Sequence, residues 1–103
     1  MRLKNITIRR IVRSRHWDDG LEEDEIIRFC PPVVLHLGID DGYLTADNDE
    51  LGIHLVAEDR KSLVKEAEEE LRFLLEEYAE GDEMMMTDGA RRLRNELLRR
   101  IAR

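Results

Sequence analysis

An α+β fold is predicted for this chain. It is an antiparallel sheet of about five strands, arranged as two hairpins plus a short strand, covered by a long helix and followed by a short C-terminal helix. Three observations carry that expectation. Alternating and β-branched apolar runs fill the sequence up to Ala57, with Asp-Gly turns between them. Apolar residues then recur every three or four positions from Arg60 to Glu80, and a shorter stripe of the same period runs from Ala90 to Ile101. Strands followed by helices place the helices on one face of an antiparallel sheet.

Each element has a local reason. Leu3 to Arg15 is rich in Ile, Thr and Val, and alternation sets Ile6, Ile8 and Val12 on one face. Asp18-Asp19-Gly20 turns the chain into Glu23 to Cys30, and folding about Asp19-Gly20 brings Arg15 near Asp24 and Arg13 near the cluster Glu23 to Glu25. Cross-strand pairs of this kind contribute roughly 0.2–1 kcal/mol each. Pro31-Pro32 is expected to end that strand, because neither residue has an amide hydrogen to give a ladder. Val33 to Ile39 forms the next strand, with Val33, Leu35, Leu37 and Ile39 on one face and Val34 and His36 on the other. Asp41-Gly42 turns into Tyr43 to Ala46, and Ile53 to Ala57 is the last, short strand. Asp59 caps the long helix, whose apolar stripe is Leu63, Val64, Ala67, Leu71, Leu74, Leu75 and Tyr78, and Gly81 stops it. Phe73 lies off that stripe. Thr87 caps the last helix, with Ala90, Leu93, Leu97, Leu98 and Ile101 on its apolar side.

The chain of 103 residues suits a single domain spanning 1–103, divided as an N-terminal hairpin (1–32), a core (33–80) and a C-terminal helix (87–103). Charged residues make up 40% and the net charge is −7, which excludes a membrane-spanning chain. The charge is blocked: residues 1–16 carry six bases and no acid, residues 17–87 carry 22 acids against five bases, and residues 88–103 carry six arginines against two acids. The N-terminus lacks the apolar core of a signal peptide, and the lone Cys30 excludes an internal disulfide, so a cytoplasmic location is expected. No glycine-rich phosphate loop, H-E-x-x-H or Cys-x-x-Cys is present, and His16, His36 and His54 lack ligand spacing. No catalytic residue, metal or cofactor is therefore expected.

Residues 33–78 read strand, Asp41-Gly42-Tyr43 turn, strand, Leu51-Gly52-Ile53, strand, and a helix opening with Asp59 and running through Ala67 and Leu71. That order resembles the small HicB-like antitoxin domain. The segment Asp49 to Ile101, with Glu77-Tyr78-Ala79 and Thr87-Asp88-Gly89-Ala90, is also similar to a family of small uncharacterised microbial proteins. The antitoxin resemblance implies a homodimer that inhibits a small messenger-cleaving toxin. Two departures stand out: Glu50-Leu51-Gly52 replaces the family's proline-glycine-cysteine, and one arginine-rich helix stands where members carry a DNA-binding module.

These readings lead to a non-enzymatic, antitoxin-like binding protein that masks a small basic partner. Its expected contact surface is the acidic helix face, Glu66, Glu69, Glu70, Glu76 and Glu77, with Phe73 beside it, because opposite charge steers association. The alternative is a nucleic-acid-binding or autoregulatory protein that uses Arg9, Arg10, Arg13, Arg15, Arg91 and Arg94. The last helix is too short to stand alone in water and must dock. The long helix has only one apolar stripe, so the expected landing place is a second subunit, with Leu93, Leu97, Leu98 and Ile101 at a dimer interface.

Overall fold

The computed structural model describes residues 4–16 and 19–101, the side chains of residues 15 and 16 excepted. Expectations that fall on Leu3 and Asp18, or on the side chains of Arg15 and His16, lie outside the described residues. The fold is α+β, with a four-stranded antiparallel sheet in the order β1-β2-β3-β4. The strands are β1 (Ile6–His16), β2 (Glu22–Asp40), β3 (Tyr43–Asn48) and β4 (Ile53–Ala57). Two helices follow, α1 (Arg60–Leu74) and α2 (Asp88–Arg100). Among the described residues no helix is long and apolar enough to cross a membrane.

The strand count is four rather than five, and the prolines explain the difference. β2 runs unbroken through Pro31-Pro32 for 19 residues. Between the pairs Ile8↔Val33 and Arg10↔Arg28, the single residue Arg9 faces four residues, Phe29 to Pro32. The residues without amide hydrogens are thus looped out in a bulge, and pairing resumes on either side. The boundary expected at residue 32 falls inside one strand. Alternation changes phase at the same bulge: Ile6 and Ile8 point inward, then Ile11 and Arg13 do. Val12 is accordingly turned outward, not inward as alternation from Ile6 suggests. Below the bulge Arg13 faces Glu25, within the acidic cluster expected, and Arg15 faces Glu23, one residue from the Asp24 that folding about Asp19-Gly20 suggests. Asp41 and Gly42, with φ of 51° and 82°, make the left-handed pair that a two-residue hairpin needs.

α1 starts where Asp59 accepts a hydrogen bond from the Ser62 amide at 2.7 Å. Its stripe of Leu63, Ala67 and Leu71 is fully buried in one core with Val33, Leu35 and Ala46 of the sheet. Ile39, at the far tip of the β2–β3 hairpin, stays exposed although it shares their face. The helix then widens into one π-helical turn, Leu75–Ala79, closed by the Glu80 amide donating to the Leu75 carbonyl at 3.0 Å. Gly81 follows, where a Cβ would lie 2.2 Å from the Glu77 carbonyl oxygen, so only glycine fits the exit. Thr87 caps α2 as its position predicts, accepting from the Ala90 amide.

α2 docks within its own chain, against the π-turn and β2. Leu97 is fully buried in the common core, and Leu93 and Ile101 pack partly buried against it. Of the residues expected at a dimer interface, Leu93, Leu97 and Ile101 therefore pack within the chain, and Leu98 is half-buried outside that core. The landing place invisible in the sequence is the lower half of β2: because the first hairpin extends the same sheet, Ile27 and Phe29 add inner face beside α1. Ile101 even forms a β-bridge with Phe29.

Candidate functional site

The 15-residue helix α1 presents two unlike flanks to solvent. One carries Arg60, Lys61, Lys65 and Arg72 and leans on the sheet edge. Arg60 donates to the Lys4 and Asn5 carbonyls at 2.8 and 3.2 Å, and Arg72 donates to the Val12 carbonyl at 2.7 Å. Two guanidiniums twelve residues apart thereby cover backbone acceptors along the β1 edge, a feature that spacing alone does not disclose. Arg72 also meets Glu68 one turn back, the pair expected from four-residue spacing.

The rest of the exposed surface gathers the expected partner-binding residues, of which Glu69 borders the groove lined by Arg60, Lys61, Lys65 and Arg72. Glu66, Glu69, Glu76 and Glu77 are exposed, Glu70 is half-exposed, and Phe73 stands among them with 52% of its surface open. Helical spacing of three and four places all six on one stripe that continues from α1 into the π-turn. Among the described residues none of these five carboxylates has an ion-pair or hydrogen-bond partner. The stripe is a negative surface with one aromatic at its centre.

The candidate nucleic-acid residues do not assemble in this way. Arg13 is buried between Glu25, at 3.0 Å, and Glu80. Burial works against its charge, but the two carboxylates more than offset this and hold its pKa above the ordinary arginine value. Arg91 meets Asp88 at 3.5 Å and donates to the Glu83 carbonyl, and Arg94 reaches Glu83 at 3.9 Å. Only Arg9 and Arg10 of the described set stand exposed without such partners, and they lie on β1, whereas α2 packs on β2 and the π-turn.

Sequence reading missed a charge cluster that seats the end of α2. Arg100 is buried at the end of α2 and donates to the Pro32 carbonyl at 3.0 Å, to Glu96 at 3.1 Å and to Glu50. Arg99 binds Glu96 as well, and this contact, ahead of Arg100, lowers the Glu96 pKa to about 2. The four-residue spacing of Glu96 and Arg100 was a usable signal; the contribution of Glu50 was not. The cluster ties α2 to the β2 bulge and to the β3–β4 loop.

His36, Asp47 and His54 stand in register across β2, β3 and β4 on the face away from the helices. Asp47 accepts a hydrogen bond from His54 and raises its pKa. Among the described residues no group of three His, Cys, Asp or Glu is placed to hold a metal ion. Cys30 is exposed within the bulge. Comparison with known proteins finds no matching family model, no similar curated protein and no similar solved structure.

Proposed function

We propose that this chain is a non-enzymatic protein-binding module of HicB-like, antitoxin type that masks a small basic partner, such as an RNA-cleaving toxin, with the outer flank of α1. The observation that carries this reading is the stripe of unpaired carboxylates around Phe73. Elsewhere in the molecule, acids such as Glu25, Glu50, Glu83 and Glu96 sit against arginines. A protein that neutralises its charge in those places and leaves five carboxylates together around an open aromatic has a surface suited to a cationic partner. The charges would steer encounter, and Phe73 would supply the desolvated anchor.

The test is co-purification from the native host followed by an inhibition assay. The expected result is a small basic protein whose RNA cleavage is blocked by the wild type. The same protein should escape both Phe73→Ala and the double reversal Glu70→Lys/Glu77→Lys. Recovery of no small basic protein, or equal inhibition by these variants, overturns the reading.

A further inference from the structure

Across the first hairpin, Arg10 of β1 stands directly opposite Arg28 of β2. The next pair, Ile11 and Ile27, is buried in the core, so alternation turns Arg10 and Arg28 to the face of the sheet away from the helices, where both are exposed. Side chains opposite one another on such a ladder start about 4.5–5.5 Å apart. Arg9 precedes them, also exposed, at the one β1 position that faces the bulge. Among the described residues none of the three has an ion-pair or hydrogen-bond partner. Like charges placed directly opposite destabilise a sheet. In a chain with 24 acids against 17 bases carboxylates are not scarce, so this uncompensated pair marks a place where the counter-charge comes from outside.

We propose that Arg10 and Arg28, with Arg9 beside them, bind the phosphate group of a small phosphomonoester. A guanidinium fork matches phosphate oxygens bidentately, and two forks rooted across one ladder can close on a single group from both sides. One phosphate then cancels the Arg10–Arg28 repulsion and accepts charge-assisted hydrogen bonds from both.

The extent of the patch selects a compact anion over a polymer. Toward the hairpin turn the next outward pair is Val12 and Ile26, 43% and 51% exposed, and the one after it is Ser14 and Asp24, joined by a hydrogen bond of 3.1 Å. Beyond the bulge the next outward pair is Thr7 and Val34. No cation continues the row on either side, and Asp24 repels a second phosphate. A nucleic-acid strand, with its closely repeating phosphates, therefore finds footing for only one. Val12 and Ile26 instead offer an apolar bed for the organic body that carries the phosphate, which favours an ester over the free ion. The site lies across the sheet from α1 and stands independently of the partner-masking surface.

Calorimetric titrations and thermal melts test it with three probes: phenyl phosphate, inorganic phosphate and a single-stranded oligonucleotide without terminal phosphates. Phenyl phosphate is expected to saturate one site per chain and to raise the melting temperature. Inorganic phosphate should bind more weakly, and the oligonucleotide no better than inorganic phosphate. Arg10→Gln and Arg28→Gln should each weaken phenyl phosphate binding by about tenfold or more. Arg10→Glu supplies the missing acid within the chain. Without ligand it should melt at or above the wild-type temperature, yet lose the response to phenyl phosphate, so lost binding cannot be mistaken for lost folding. The proposal is overturned if phenyl phosphate shows no saturable binding, or if folded Arg10→Glu binds it as tightly as the wild type. It is equally overturned if inorganic phosphate matches the ester, or if the oligonucleotide binds more tightly than the ester and so makes this face a nucleic-acid surface.

Discussion

On the outer flank of α1, Glu66, Glu69, Glu70, Glu76 and Glu77 meet solvent and no cation among the described residues, whereas on α2 four arginines each meet an acid. In the sequence the two stretches look alike, each an amphipathic helix with one sign of charge crowded on its polar side. They differ in what the fold puts next to them. The far side of α1 faces away from the sheet, so its carboxylates remain available to another molecule. α2 packs on the π-turn, and its arginines meet the Glu83 segment before it, the β2 bulge and the β3–β4 loop, each of which presents an acid or a carbonyl. Charge on α1 is a surface; charge on α2 is part of the packing.

Four experiments break or sharpen that contrast, beginning with the most severe. Leu97→Asp places an uncompensated charge at the fully buried centre of α2 packing and is expected to cost about 4 kcal/mol or more, read from urea unfolding. A change near zero would falsify intramolecular docking of the helix. Arg100→Met removes the contacts to Glu50, Glu96 and Pro32 from a side chain that is 8% exposed. The expected loss is about 2–3 kcal/mol, below the full value for a buried pair because Glu50 is itself 62% exposed.

The third concerns pH. The Glu96 carboxyl is held near 2, against an ordinary 4.5, chiefly by Arg99. A depressed carboxyl contributes stability that is fully present above pH 4.5 and is lost as pH falls toward 2. Urea midpoints taken across that window should therefore fall more steeply with acid for the wild type than for Glu96→Gln. Identical slopes would remove Glu96 from the account. The mildest effect belongs to the other helix: Glu69→Gln/Glu76→Gln should leave stability within about 0.5 kcal/mol, since neither carboxylate has a partner to lose. A markedly larger loss in thermal melts would show that the α1 flank is structural after all.

The sequence by itself determined what depends on near neighbours. The α+β order, the caps at Asp59 and Thr87, the Asp41-Gly42 turn, the buried stripe of α1 and the exposure of Phe73 all follow from spacing and from backbone chemistry within a few residues. So does the stripe of glutamates, because helical period alone brings those positions to one flank. Tertiary structure decided whatever required distant segments to meet. Pro31-Pro32 reads as a strand end, since no local rule says that a facing strand will tolerate four residues against one. Once that bulge keeps β2 whole, the first hairpin extends the inner face, and α2 gains an intramolecular site that its stripe could not specify. The same long-range geometry buried Arg13 between Glu25 and Glu80 and seated Arg100 on Pro32 and Glu50. A charge's partner is set by the path of the whole chain, whereas its helical face is set by the turn it sits in.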